Sequence, residues 1–555
     1  MRFVLLCLTL CVLACGDDAA APVDAASDAG AADAGDLGRL DTAVDAAAVD
    51  AAADAEPDAT DPPTRCEDGL VAAEFAAGER ASFDGVAGDF SAELLDGSTY
   101  LFSDAFSSCE SYVFIARNRS GESESVWISF PDGLFADSAR NVHYFFVSEG
   151  PPATVVANVE AMRANIEDSY TRMAADEAAY WAERVHYVAT PVNAIEGSVG
   201  ELIRNLGRVP TAFAIDRAQR FDPVGSMSVI ERTGFVGRLQ AAAYASQYFN
   251  YRHALDARVQ EANDSGAWRE AVVLEQEGAT AREHTVTVEL PSLDDVNRLE
   301  VDVALHCKEG PADCSEWDRI AYISVCTDAS CEVRNELVRW ITPYSRPGRR
   351  RWVMDATRLL PLLSEGENHL FVALGPPWER ETERDVRIAL RLHTGDASER
   401  PSRVQPLYEG GAFDGSYADS HPPMAVPSHG ASKVELVVIV SGHEQSERDN
   451  CAEWCNHVHR FEVGGVMSEV SFPAGIGERF GCAVQAASGV VPGQYGNWAP
   501  MRAGWCPGAP VQPHIFDVSE ALSTSTLPVR YDASFDGGTP RGGRIQLSSY
   551  LVYYD

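Results

Sequence analysis

The chain has 555 residues, 83 Asp+Glu against 44 Lys+Arg for a formal charge of −39, an apolar share of 45% and 13 cysteines. That length holds two to four domains with real cores, and the apolar share excludes disorder throughout. No run of about 18 apolar residues follows the N-terminus, which argues against a polytopic membrane protein, and the acidic balance argues against nucleic-acid binding.

The first segment is Met1-Arg2 followed by the apolar run Phe3-Val-Leu-Leu-Cys-Leu-Thr-Leu-Cys-Val-Leu-Ala14, too short to span a membrane and suited to the core of a secretory signal. Val12-Leu13-Ala14-Cys15 resembles a bacterial lipobox, which implies a signal peptide over 1–14, cleavage before Cys15 and a lipid on its thiol. Cleavage removes Cys7 and Cys11, lipidation consumes Cys15, and ten cysteines remain, an even number suited to disulfides in an exported, oxidising compartment. Residues 16–64 then repeat Ala and Asp, with 13 acids against Arg39, so −12 of the charge sits here. Like charges repel and no apolar face forms, so 15–64 reads as a lipidated Cys followed by a solvated tether. The expectation is a lipoprotein of the outer membrane or cell surface, held to the membrane through Cys15.

Residues 65–275 are expected to mix α and β. Apolar runs at Tyr112–Ile115, Val142–Val147 and Thr211–Ile215 read as buried strands, and Thr154 to Val185 reads as one long helix. Gly88-Asp-Phe-Ser-Ala-Glu-Leu-Leu-Asp-Gly97 and Val209-Pro-Thr-Ala-Phe-Ala-Ile-Asp216 resemble segments of thioredoxin-like domains, with Pro210 at the position of the usual cis-proline. The loop after Ile115 reads Asn118-Arg-Ser-Gly-Glu-Ser-Glu-Ser-Val-Trp127 and has no cysteine, so no redox nucleophile is available there. Cys66 and Cys109 pair most simply as a staple in a redox-inactive accessory domain.

From about Ala281 the pattern is strand throughout. His284–Leu290, Leu299–Leu305, Val386–Leu392 and Ile545–Tyr553 alternate or nearly so, between turn-rich breaks. Antiparallel sandwiches follow, and about 275 residues suffice for two, 281–400 and 401–555. Three cysteine-framed segments stand out: Cys307-Lys-Glu-Gly-Pro-Ala-Asp-Cys314-Ser-Glu-Trp-Asp-Arg319, Cys451-Ala-Glu-Trp-Cys455-Asn-His-Val-His459, and Cys482 to Cys506 ending Gly496-Asn-Trp-Ala-Pro-Met-Arg-Ala-Gly-Trp-Cys506. Each sets Trp beside a charged group, as a sugar site requires: an aromatic face for the ring and acceptors for its hydroxyls. Carboxylates from two segments can also divide acid and base work.

These segments, with Trp340-Ile-Thr-Pro-Tyr344, resemble the peptide-N-glycosidase F family over residues from about 283 to the C-terminus. The resemblance implies two eight-stranded jelly-roll sandwiches with a site at their interface, and an amidase that removes N-linked glycans from asparagine without a cofactor. It puts the principal catalytic Asp at Asp318, a second essential carboxylate at Glu453 and an essential Arg at Arg502. Arg319, Glu316, Trp454, Trp378 and His443 make up the expected substrate-binding set. It also implies the disulfides Cys307–Cys314, Cys451–Cys455 and Cys482–Cys506, leaving Cys326 with Cys331 and Cys66 with Cys109. The family's third active-site Glu, just before the tryptophan matching Trp378, is absent from Ala373-Leu-Gly-Pro-Pro-Trp-Glu-Arg380, where Glu379 follows the Trp instead.

The expected partners are N-glycosylated proteins or peptides, met by a monomer. A non-catalytic glycan-binding lipoprotein is the first alternative, favoured by the missing Glu. A copper monooxygenase of the same double-sandwich fold is the second. It would use His457 and His459, which share one side of a strand at i and i+2, but no adjacent His-His pair accompanies them, so no metal is expected.

Overall fold

In the computed structural model, the described residues are 64–227, 238–307, 315–379, 383–444, 451–473, 478–535 and 538–555. The expected signal, Cys15 and nearly all of the tether lie outside them. Among the described residues no helix is long and apolar enough to cross a membrane.

A five-stranded sheet organises the first part. Its order is Val185–Tyr187, Val142–Ser148, Ser111–Arg117, Ala212–Ile215, Phe221–Pro223; the first three strands run parallel and the remaining pairings are antiparallel. Tyr112 to Ala116 are all fully buried, which is why this strand reads as a continuous apolar run: both faces are covered. The expected single helix over 154–185 is instead two, Pro152–Tyr170 and Ala175–Ala182. Thr171 ends the first by turning its hydroxyl onto Asp168 O at 2.7 Å, a side-chain bond that competes with helix continuation. Among the described residues there is no cis peptide bond, so Pro210 does not have the cis bond expected of it. Cys66 and Cys109 are bridged. The last helix of this part, Gln240–Asp264, buries Ala241, Ala242, Ala243 and Ala245, small side chains that let it lie close to what it covers.

Two antiparallel sandwiches follow. Among the described residues the first contains Trp268–Ala279, Glu283–Leu290, Val296–Cys307, Ile320–Cys326, Arg334–Ile341, Gly348–Asp355, Gly366–Ala373 and Arg384–Thr394. The second contains Arg403–Ala412, Met424–Pro427, Lys433–His443, His457–Val463, Val466–Ser471, His514–Asp517, Thr526–Phe535 and Arg544–Tyr554. Counted along the chain within each sandwich, the two sheets run 1-8-3-6 and 2-7-4-5 in both, the strand order of a jelly roll. The sandwich begins at Trp268, earlier than the alternation at Ala281 suggests. That strand reads poorly because its burial is intermittent, with only Val273 and Ala279 fully covered.

The sandwiches share a core. In Lys433–His443, Val434, Leu436, Val438 and Val440 pack inside the second sandwich, whereas Val437 and Ile439 pack against the first. Arg544–Tyr554 divides in the same way, with Leu547 and Leu551 inward and Tyr550 and Val552 outward. A buried polar network crosses the same seam: Arg339 pairs with Glu336 at 2.5 Å and donates to Ser441 Oγ at 2.8 Å, and Ser548 donates to Glu336 at 2.6 Å. A two-residue strand, Ala509–Pro510, leaves the second sandwich's sequence to pair with Trp340–Ile341 of the first.

Tyr550 belongs to this seam twice over, through its buried ring and its hydroxyl on Glu336 O at 2.9 Å. Tyr550→Ala is expected to cost about 3–5 kcal/mol of unfolding free energy in denaturant titration. A loss below about 1 kcal/mol would show that the sandwiches do not share a core.

Candidate active site

Asp318 sits just before Ile320–Cys326, where two hydrogen bonds to Thr342, one main-chain and one to its hydroxyl, fix its neighbour. Arg319 N donates to Thr342 Oγ1 and Thr342 N donates to Arg319 O, each at 2.9 Å. These bonds continue the pairing of Ile320 with Ile341 past the strand ends, bringing Tyr344 to Asp318. The Tyr344 hydroxyl lies near enough to the Asp318 carboxylate for each to shift the ionisation of the other. The ring is held by Gly496, where a methyl group would lie 2.2 Å from Tyr344 Cγ, and the Tyr344 amide donates to Gln494 Oε1 at 2.9 Å.

Arg502 is 1% exposed and joins this pair to the second carboxylate. Its Nη2 donates to the Tyr344 hydroxyl at 3.2 Å and its Nε to Glu453 Oε1 at 3.3 Å. Main-chain oxygens take further protons: Pro500 O lies 2.8 Å from Nη1, and Asn497 O accepts from Nη2. The guanidinium lies over Trp454 and Trp505, 4.5 and 5.0 Å from their centroids. Glu453 is carried by the short helix Cys451–Trp454, pinned to the Arg502 loop by Ala503 N donating to Glu453 O at 2.9 Å.

The electrostatics follow from burial around one cation. Burial raises the Asp318 carboxyl above its usual range, while Arg502, the Tyr344 hydroxyl and Arg319 pull it back down. Glu453 is pushed up to about 7 by burial, with Arg502 opposing and the Asp318 charge adding to the rise. Burial and the Asp318 charge raise Tyr344, so it stays a protonated donor.

The remaining expected residues lie in a second tier. Arg319 does not pair with Asp318: its Nε and Nη2 donate to Glu379 Oε1 at 3.1 and 3.0 Å, and its guanidinium lies 5.0 Å from the Trp378 ring. Glu379 also accepts from Ser315 Oγ at 2.7 Å and faces Arg282 at 3.7 Å. It is therefore committed to cations behind the site and does not replace a third site carboxylate. Trp378 is 72% exposed, Trp317 is 55% exposed, and Glu316 is exposed beside them. His443 is not at the carboxylates. It stacks on Trp505 at 4.8 Å and bonds Ser441 Oγ at 2.7 Å, where burial drives its pKa far down and keeps it neutral.

Cys482–Cys506 and Cys326–Cys331 are bridged. Cys307 is disulfide-bonded, and its expected partner Cys314 lies outside the described residues. Cys451 departs from expectation: it carries a thiol, so the expected bridge between Cys451 and Cys455 is not formed. They begin and follow a helical turn whose geometry is set by Glu453 and Trp454 facing Arg502.

His457 and His459 bond each other at 2.7 Å. Their outer nitrogens are taken by Ala452 O at 2.9 Å and the Tyr531 hydroxyl at 2.7 Å, so all four ring nitrogens are committed. Among the described residues no group of three His, Cys, Asp or Glu is arranged to hold a metal ion. Tyr344 closes the Trp340–Tyr344 motif, and nothing in the motif itself marks it as a site residue. Its position two residues beyond Thr342, the partner of Arg319, is the signal that could have found it.

Residues 418–552 match a family model described as peptide-N-glycosidase F, C terminal. The peptide-N(4)-(N-acetyl-beta-D-glucosaminyl)asparagine amidase F of Elizabethkingia miricola is 28% identical over 258 residues, 43% of this chain and 69% of that protein. A crystal structure of a peptide-N(4)-(N-acetyl-beta-D-glucosaminyl)asparagine amidase is 21% identical, covering 52% of this chain and 96% of its own, with a TM-score of 0.42. The glycosylasparaginase PNGase F of Flavobacterium meningosepticum is 20% identical with the same coverage and a TM-score of 0.41.

A carboxyl raised from its ordinary value near 4.5 to about 7 stabilises the fold fully below about pH 4.5, and that contribution is lost as pH rises through about 7. Glu453→Gln is accordingly expected to flatten the decline in unfolding midpoint across that window. Parallel curves for wild type and variant would contradict the assigned ionisation.

Proposed function

We propose that this peptide-N-glycosidase F-family chain hydrolyses the amide bond between an asparagine side chain and its N-linked glycan. The observation that carries the reading is one buried guanidinium, Arg502, which contacts Glu453 and Tyr344 and acts with Tyr344 on the Asp318 carboxylate.

Asp318 acts as the base. A carboxylate raised toward neutral pH by burial, yet kept ionisable by Arg502 and Tyr344, takes a proton from water more readily than an exposed one. The water oxygen adds to the side-chain amide carbon, and the charge developing on the amide oxygen falls beside the fixed positive charge of Arg502. The C–N bond then breaks, the nitrogen leaves with a proton as a glycosylamine that later loses ammonia, and Asn becomes Asp. Glu453 and Trp454 hold the first N-acetylglucosamine, with Trp317, Trp378 and Glu316 on the exposed rim.

We further propose that the chain is exported, monomeric and anchored through a lipid on Cys15, with the Ala/Asp segment as spacer. The α/β part, whose Gly88–Gly97 and Val209–Asp216 segments resemble thioredoxin-like domains, then serves as a redox-inactive accessory. A second reading, glycan binding without hydrolysis, is favoured by the commitment of Glu379 to Arg319 and Ser315.

Incubating the whole chain with a denatured N-glycoprotein separates the two. Hydrolysis gives intact glycan and Asn converted to Asp by mass spectrometry, whereas retention of glycoprotein without release supports binding alone. Asp318→Asn is expected to lower kcat/KM by about 10²–10⁴-fold with an unchanged unfolding midpoint. Wild-type turnover in that variant would remove Asp318 from the chemistry.

A further inference from the structure

Beyond the carboxylates, a cleft of about 440 Å³ opens between the α/β part and the loop that supports Tyr344. Its α/β wall includes Asn118, Arg119, Glu149, Arg208 and Thr211, and its sandwich wall is Pro347 and Tyr495. Tyr495 is 58% exposed, yet its neighbours are fixed: Gln494 accepts from the Tyr344 amide and Gly496 lies against the Tyr344 ring. With adjacent Cα atoms 3.8 Å apart, Tyr495 stands within roughly 15 Å of the Asp318 carboxylate.

The cleft is preformed because its two walls interlock through glycine. Gly225 and Gly493 both have positive φ, and a methyl on Gly225 would lie 2.2 Å from Gly493 O. Ser226 N donates to Gly493 O at 2.8 Å. The Gly225–Met227 turn is itself held by Glu122, which accepts from Ser226 Oγ, Met227 N and Thr211 Oγ1 at 2.8–2.9 Å. A continuous set of contacts thus runs from Glu122 through Gly493 and Gln494 to Tyr344.

The lining selects among ligands. Among the described lining residues two arginines, Arg119 and Arg208, stand with two glutamates, Glu122 and Glu149, so the balance of charge suits a neutral ligand. The floor offers little to a peptide backbone: Val209 O accepts from Asn118 and Thr211 O from Ala116 N, while Pro210 has no N–H. The lining also holds the aromatic ring of Tyr495, 58% exposed, and at the mouth Arg119 is paired to Glu149 at 3.2 Å. A sugar ring needs that combination, an apolar face to stack and hydroxyls to bond.

We propose that this cleft is a second saccharide subsite, which takes outer uncharged sugars of the substrate glycan on the Tyr495 ring with Arg119 and Glu149 as hydroxyl partners. The proposal rests on the amidase reading for its substrate and assigns the α/β part a role in choosing among glycans. The test compares one glycopeptide bearing a full branched N-glycan with the same peptide bearing only the core N-acetylglucosamines, using the full chain. Tyr495→Ala and Arg119→Ala are each expected to raise KM for the long glycan about tenfold while leaving kcat/KM for the short one unchanged. Equal effects on both substrates, or on neither, would overturn the subsite. If the wild type hydrolyses neither substrate, the amidase reading fails, and calorimetry with the free branched oligosaccharide decides the subsite alone. Binding that Tyr495→Ala abolishes sustains it; absent binding, or binding indifferent to Tyr495, overturns it.

Discussion

The site depends on burying one guanidinium. Removing the charge of Arg502 from water is costly and is tolerated only where hydrogen bonds and opposite charge replace the lost hydration. The replacements come from distant stretches of chain: Tyr344 beyond a strand of the first sandwich, Glu453 on a helical turn of the second, and the carbonyls of Asn497 and Pro500 on the loop between. No one segment could satisfy Arg502, so the pair of sandwiches and their crossing loop must be assembled before the site exists.

That requirement accounts for features of the fold that a simple tandem of sandwiches would lack. Strands Lys433–His443 and Arg544–Tyr554 are apolar on both faces because each separates two cores. The loop carrying Arg502 is cross-linked by Cys482–Cys506 and returns through Ala509–Pro510 to extend a sheet of the first sandwich. On its outer side the same loop is held by the α/β part, through Gly493 against Gly225 and through Tyr251, whose ring fills the space where a side chain at Gly489 would stand. The α/β part is thus part of the support for the loop that carries Arg502.

Much of this was legible in the sequence. Alternation at Leu299–Leu305 and Val386–Leu392 gave strands, and the uninterrupted apolar runs near Tyr112 and Val142 gave buried ones. Asp318, Glu453 and Arg502 follow from the family resemblance that the cysteine-framed segments carry, and the structure sets the two carboxylates near the Arg502 cation. What failed depended on packing or on single side-chain contacts that the sequence pattern does not record. The strand Trp268–Ala279 hides its alternation because its faces are unevenly covered, and the helix break at Thr171 depends on one side-chain bond. Glu379 lies next to Trp378 in sequence, yet three groups out of its reach on a linear chain, Ser315, Arg319 and Arg282, decide its role. Tyr344 was visible as a letter in a motif, but its place near Asp318 exists only once two strands pair.

In the proposed reaction, water activated by Asp318 attacks the asparagine side-chain amide, not the sugar. The most direct measurement is hydrolysis of an N-glycopeptide in heavy-oxygen water, with mass spectrometry of both products at early times. The expected result is one heavy oxygen in the new aspartate carboxyl and a glycan that first leaves as its glycosylamine. A peptide released with its asparagine intact and unlabelled, and the heavy oxygen on the sugar, would contradict it.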